Sequence, residues 1–286
     1  MTTLNHKIDF AVVLSVTKAN PNGDPLNGNR PRQNYDGHGE ISDVALKRKI
    51  RNRLMDMGES IFVQSNDRKT DAYNSLRERA EANGELEKIF KSKTVSSDEF
   101  ARVACQEWID VRSFGQVFAF KGDKNGGVSV GVRGPVSIHT ATSVDPIDIT
   151  SMQITKSVNG ESGTNRGSDT MGMKHRVDSG VYIFYGSINP QLAEKTGFSN
   201  ADADKIKEAL ISLFENDASS ARPEGSLEVH TVYWWAHRSK LGQYSSAKVH
   251  RSLLVERLVA EPKSYADYEF VLQPLEGLQV EQYAGR

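Results

Sequence analysis

His6-Lys-Ile-Asp-Phe-Ala-Val-Val-Leu-Ser-Val-Thr-Lys18, with the Ala19-Asn-Pro-Asn-Gly-Asp-Pro25 that follows it, decides how this chain is read. Ile8, Phe10, Val12, Leu14 and Val16 share one face of an extended segment, and Asp9, Ala11, Val13, Ser15 and Thr17 share the other, which is the period of a strand. The Pro and Gly positions of 20–29 forbid regular structure. Ser42 then predicts the N-cap of a helix running to about Met57, with Gly58 as its stop. Leu46, Ile50, Leu54 and Met57 form the apolar stripe of that helix.

Further along, 59–110 is mostly helical and acidic in pattern, from Asp71–Ala82 through Asp98–Trp108. Val111–Phe120 and Val128–His139 read as strands joined by the turn-rich 122–127. Residues 140–175 are rich in Ser, Thr, Gly and Asn, a length of loop that is normally functional or disordered. Val181–Ile188 reads as a buried strand, Asp202–Glu215 as an amphipathic helix, and strands are expected near 227–237, 249–259 and 268–273. Strand, helix, strand, strand, helix, strand is the α+β order of a ferredoxin-like or RRM-like fold, carrying a helical insertion and a long loop.

The chain has 286 residues, 36 Lys+Arg against 37 Asp+Glu, a formal charge of −1, and one cysteine, Cys105. A lone cysteine excludes a disulfide framework and fits a reducing compartment, hence the cytoplasm. No signal-peptide pattern opens the chain and no apolar run reaches the ~18 residues of a membrane span. The −1 conceals alternating blocks: +3 over 1–57, −3 over 58–110, +3 over 112–176, −5 over 177–232, +4 over 233–257 and −3 over 258–286. Basic blocks that meet on one surface give an electrostatic footprint for a polyanion; blocks that do not meet merely decorate solvated faces.

Catalytic signatures are absent. The seven histidines form no HxxxH or HExxH pair, Cys105 lacks a thiolate partner, and no GxSxG elbow occurs. Gly167-Ser-Asp-Thr-Met-Gly-Met-Lys174 misses the phosphate-loop spacing by one residue. No metal or cofactor is expected. The helix at 43–57 carries Lys47, Arg48, Lys49, Arg51 and Arg53 flanking its apolar stripe, either as a solvated face or as donors to a phosphate chain. Arg112-Ser-Phe-Gly-Gln-Val-Phe-Ala-Phe120 partly matches the RNP1 pattern of RRM domains, but Gln116 and Ala119 remove aromatics that would stack bases, so Phe114 and Phe118 are expected in the core. Lys156, Arg166, Lys174, His175 and Arg176 surround Met152, Ile154, Met171 and Met173 on the 140–175 arm, a composition suited to wedging between bases or against another subunit.

Taken together, Ala19-Asn-Pro-Asn-Gly-Asp-Pro25, Asp110-Val-Arg-Ser-Phe-Gly115, Gly134-Pro-Val-Ser-Ile138, Ser143-Val-Asp-Pro146, Thr170-Met-Gly-Met-Lys-His175 and Ser219-Ser-Ala-Arg-Pro-Glu-Gly225 resemble the Cas-seven family of the RAMP superfamily, nearest to the Csd-type subunit of type I-C Cascade. The resemblance implies a right-hand shape: an RRM-like palm (1–58, 111–138 and 177–286), helical fingers (59–110) and a β-hairpin thumb (139–176). It implies a non-catalytic backbone subunit whose copies stack head-to-tail along CRISPR RNA, each thumb kinking the RNA, while the guide pairs with target DNA. Its partners would be other Cascade subunits and a recruited helicase-nuclease, with no membrane. RNA-binding residues carried over by position are Lys18, Asn20, Asn22, Arg30, Lys47, Lys49 and Arg51, with Met171, Lys174 and His175 in the thumb. Two other readings stay open: a RAMP-type metal-dependent RNA endonuclease using Asp24 or Asp36, and a solitary RRM-type binder.

Overall fold

In the computed structural model, which describes residues 2–91, 96–120, 128–155 and 171–286, the opening strand is β1 (Ile8–Ala19), buried on both faces. The short strands β2 (Gly23–Asp24), β3 (Arg30–Pro31) and β4 (His38–Ile41) precede helix α1 (Asp43–Asp56). Helices α2 (Leu76–Glu81), α3 (Gly84–Lys91), α4 (Ser97–Glu107) and α5 (Ile109–Phe114) lead to strands β5 (Gly115–Phe120) and β6 (Val128–Arg133). Next come β7 (Val136–Ile138), β8 (Ala141–Pro146), β9 (Ile149–Thr155), the 18-residue β10 (Met171–Ile188), α6 (Pro190–Thr196) and α7 (Asn200–Ile211). The chain finishes with β11 (Leu227–Ala236), α8 (Ser246–His250), β12 (Leu253–Arg257), β13 (Tyr268–Leu272) and β14 (Glu281–Ala284).

The fold is mixed α/β around a central antiparallel sheet of order β14-β11-β1-β10-β8-β4, with β7 and β9 also paired to β10. β1 lies between β10 (Ile8↔Ile188 to Ala19↔Val177) and β11 (Ile8↔Ala236 to Val16↔Leu227). The alternation read in β1 sorts its side chains into two cores. Ile8, Phe10, Val12, Leu14 and Val16 join the stripes of α1 (Leu46, Ile50, Leu54) and α7 (Ile206, Leu210). Ala11 and Val13 on the other face are covered by Val249, Leu253, Tyr268 and Leu278 of the C-terminal segment. On that second face Asp9 is buried, with His237 Nε2 at 2.9 Å and Lys7 Nζ at 3.1 Å, so a charged network pins the C-terminal segment to β1. No helix among the described residues is long and apolar enough to cross a membrane.

α1 starts and stops where its caps require. Ser42 Oγ accepts from Ala45 N (3.2 Å), Met57 is the C-cap, and Gly58 follows at φ 85°. The insertion builds a separate core from Phe62, Phe100, Trp108, Phe118 and Val130, with Phe62 4.6 Å from Trp108 and 5.1 Å from Phe118. The hairpin of β5 and β6 belongs to this third core, so of the 111–138 segment expected in the palm only Val136–Ile138 joins the central sheet. The 122–127 turn lies outside the described residues.

The strand expected near 249–259 shortens to Leu253–Arg257, behind helix α8, and two other strand boundaries differ from expectation, each for a physical reason. Val111–Phe114 is helical, because one helical turn brings Asp110 and Phe114 to the same cation: Arg51 Nε donates to Asp110 Oδ2 at 2.8 Å, and the guanidinium lies 5.0 Å from the Phe114 ring. In a strand those two side chains would be about 13 Å apart. The run 128–139 breaks at Gly134-Pro135, where the chain leaves the hairpin for the sheet; a Cβ at Gly134 would stand 2.3 Å from Ser113 O. The RNP1-like segment is architectural throughout: Arg112 grips Asp202 through Nε (3.1 Å) and Nη2 (2.8 Å), Phe118 is fully buried, and Val117 is exposed.

Asp110 joins the core under α1 to that of the insertion. Its carboxylate is fully buried and accepts from Arg51 Nε, Phe62 N (2.8 Å) and Val63 N (3.1 Å). Removing one partner of such a buried pair strands the other. Asp110→Ala should therefore lower stability by about 3–5 kcal/mol, read from urea denaturation; a loss under about 1 kcal/mol, as for an exposed pair, would contradict this role.

Candidate functional site

The turn-rich segment after β1 is tied at both ends. Thr17 N donates to Ser226 O (2.8 Å) and Asn20 N to Ala221 O (2.9 Å), which brings the Ser219–Gly225 segment alongside it. Asn22 Oδ1 accepts from Ser42 N (2.9 Å), fixing the segment to the start of α1. Gly23 is required where β2 folds over β3, since a Cβ there would meet Asn29 Oδ1 at 2.0 Å.

These constraints frame a cleft of about 470 Å³, within the ~300–1,000 Å³ typical of ligand sites, walled by Pro21–Gly23 and Asn29, by Ala45, Arg48, Lys49 and Asn52 of α1, and by segments 65–68 and 216–222. Four cationic side chains line it (Arg48, Lys49, Arg68, Arg222) against two carboxylates, Asp67 and Asp217. Lys49 is buried and paired with Asp217, whose Oδ2 also takes Arg222 Nε at 3.1 Å. Arg68 Nη2 reaches Asp56 Oδ1 at 2.5 Å. Arg48 differs: its Nη1 donates to Val63 O (2.6 Å), and it has no ion pair among the described residues. An arginine with one fork nitrogen on a carbonyl and its others without an acceptor among the described residues, at the wall of a polar cleft, is suited to a phosphate oxygen.

A second place of interest is the β9–β10 hairpin, in register from Met171↔Thr155 to Val177↔Ile149. Alternation puts Met171, Met173 and His175 on one face, with Lys174, Met152 and Ile154 on the other. Met171, Met173 and Ile154 are 61%, 55% and 49% exposed, so the hairpin carries apolar surface on both sides. At its base, Arg30 Nη1 donates to Ser151 Oγ (2.8 Å) and His175 Nδ1 lies 2.8 Å from the same oxygen. The tip, including Lys156 and Arg166, lies outside the described residues.

The residues expected to bind are thus scattered. Asn22 and Lys49 line the cleft, and Arg30 and His175 meet at the hairpin base. Lys18 is exposed at φ 51° beside the cleft, and Asn20 is buried, donating to Asn29 O (2.7 Å). Lys47 pairs with Asp43 (2.9 Å) on another side of α1, and Arg51 is committed to Asp110. Lys174 faces away from Met171 and His175. Arg51 is accordingly a structural clamp, and Lys49 acts from within the wall. Asp24 caps Leu26 N (3.2 Å) and faces Arg32 (3.5 Å), while Asp36 is exposed. Sequence reasoning passed over Arg222, Arg68 and Asn52; for Arg222 the Ser219–Gly225 motif was the available signal, and Arg68 had none.

Burial, opposed by Asp217 and reinforced by Arg222, pushes the Lys49 ammonium down from 10.5 to about 8. Between those values the unfolded chain holds a proton that the folded one has released, so rising pH stabilises the native state through this group. The gap in urea midpoint between the protein and a Lys49→Met variant should shift in favour of the unsubstituted protein from about pH 7 to about pH 9.5. A gap constant with pH would mean that Lys49 titrates like a solvated lysine.

With this geometry in view, comparison with known proteins is specific. The family model described as CRISPR-associated protein Cas7 matches residues 6–273. The CRISPR-associated protein Cas7 of Haloferax volcanii is 27% identical over 262 residues, spanning 85% of this chain and 69% of its own length. Two solved chains from CRISPR RNA-guided surveillance complexes, one of them pre-nicking, superpose with TM-scores of 0.49 and 0.45 at 15% and 16% identity. They cover 80% of this chain each, and 78% and 68% of their own, a likeness too loose to support an inference. The match over 6–273 takes in the cleft, the hairpin and most of the three cores: this chain belongs to the Cas7 family of CRISPR-associated proteins.

Proposed function

We propose that this chain is the CRISPR RNA-binding backbone subunit of a type I-C Cascade, without catalytic activity of its own. Copies polymerise head-to-tail along the guide RNA and hold it for pairing with target DNA, alongside other Cascade subunits and a helicase-nuclease recruited to cut, in the cytoplasm. The observation that carries the reading is Arg48, an arginine without an ion pair among the described residues, in a cleft walled by the segment after β1, α1 and the Ser219–Gly225 segment. Such a wall recognises a sugar-phosphate chain through charge and donors, leaving sequence to base pairing in the RNA. The strand order β11-β1-β10-β8, with α1 and α7 on one face, agrees with an RRM-like palm; the insertion serves as fingers and the β9–β10 hairpin as thumb. RNA does not have the open platform of an RRM sheet here, because the C-terminal segment covers Ala11, Val13, Ile183 and Trp235 on that face. The exposed methionines of the thumb suit wedging between bases or against the next copy. Head-to-tail contact does not close, so a filament follows.

Arg48→Ala should weaken binding of single-stranded RNAs of unrelated sequence to the same extent and lower the salt slope of log K by about one unit, measured by anisotropy titration at several salt concentrations. An unchanged slope would remove the cleft from the RNA path. Saturating a long RNA should load several copies, read from the mass of the complex; a one-to-one complex would overturn polymerisation.

A further inference from the structure

Asn52 lines the same cleft from α1, 9% exposed, and its Oδ1 is buried with no hydrogen-bond donor among the described residues. Buried amide oxygens are nearly always satisfied, and one left bare costs stability that a leucine of similar shape would avoid. We propose that Asn52 is the residue by which the cleft distinguishes ribose from deoxyribose, its amide oxygen accepting the 2′-hydroxyl proton of a nucleotide whose phosphate is held by Arg48. The inference rests on the cleft being the RNA path, and it adds what the cations cannot provide. Arg48, Lys49, Arg68 and Arg222 attract any phosphate chain, RNA or DNA alike. An amide oxygen repels phosphate oxygens and seeks a donor. Base edges also offer donors, but these change with the base, whereas a guide track must accept every sequence. The sugar 2′-hydroxyl is the donor common to all ribonucleotides and missing from DNA. Asn52 stands one helical turn from Arg48 on the same side of α1, and both line the cleft, a spacing that would let one nucleotide meet the two.

The test uses the full chain and short oligonucleotides of one sequence that seat a single copy, as RNA, as 2′-fluoro RNA and as DNA. 2′-Fluoro RNA lacks the hydroxyl proton and keeps the ribose-like pucker, so it separates the donor from helix shape. The unsubstituted protein should prefer RNA to 2′-fluoro RNA by about fivefold to tenfold, the worth of one hydrogen bond. Asn52→Leu should bring that ratio to about one, and Asn52→Asp, which keeps an acceptor, should retain the preference at lower overall affinity. Arg48→Ala should weaken all three ligands together. An unchanged ratio in Asn52→Leu, with Arg48→Ala still weakening binding, would overturn the role of Asn52 and leave the cleft standing. No effect of Arg48→Ala would overturn the cleft and Asn52 with it.

Discussion

Everything about the basic helix depends on one buried carboxylate. Asp110 takes two backbone N–H groups from the start of the insertion and the Nε of Arg51, and it has no exposure to water. A carboxylate so enclosed cannot be left unpaired, so the rotation of α1 about its axis is fixed by Arg51. Once that stripe is set, the others follow at 100° per residue. Leu46, Ile50 and Leu54 go to the core, and Lys49 and Arg53 go to Asp217 and Glu215. Arg48 and Asn52 are left facing the cleft. A structural ion pair thereby decides which side chains are free to meet a ligand.

A second constraint comes from the sheet. Its helix-covered face is ordinary for an α+β protein, but the other face is closed by the segment that follows β11, with Asp9, His237 and Lys7 locking it in place. That face stays open at the Ser15–Thr17 end, in a hollow of about 890 Å³ between β1, β10 and β11 and the Glu261–Tyr268 segment, so elsewhere the sheet offers its loops and edges to a partner. The cleft lies at the end where β1 leaves the sheet, and the β9–β10 hairpin projects from the strand next to β1, so both candidate surfaces are reached from the same two central strands.

What the sequence made legible was local. The strand at 8–19 and the helix from Ser42 to Met57 announce themselves through alternation and caps, which act between residues a few positions apart. The division of labour along α1 was not legible, because its partners lie far off in the chain: Asp110 is 59 residues from Arg51, and Asp217 is 168 from Lys49. Position along a basic helix cannot separate Arg48 from Arg51; only the acid that each meets can. The same limit explains Val111–Phe114, where an apolar alternation compatible with a strand yields to the need to bring Asp110 and Phe114 onto one guanidinium. Asn52 carried no signal, since an asparagine within a helix is unremarkable until its oxygen is found without a donor.

The formal charge of −1 takes on a different sense against this background. Of the five cations on α1, four are held by carboxylates: Lys47 by Asp43, Lys49 by Asp217, Arg51 by Asp110 and Arg53 by Asp56 and Glu215. Counting them as a +5 face overstates what a polyanion would feel, because paired cations contribute a field that falls off as a dipole. Balanced composition is thus compatible with a basic cleft, provided that the acids sit behind the wall. Here they do so unevenly: Asp217 pairs directly with Lys49 and Arg222, while Arg48 donates to a carbonyl, Val63 O, and feels Asp67 and Asp110 only at longer range. A phosphate entering the cleft would meet one guanidinium, that of Arg48, which no carboxylate among the described residues holds in a direct ion pair.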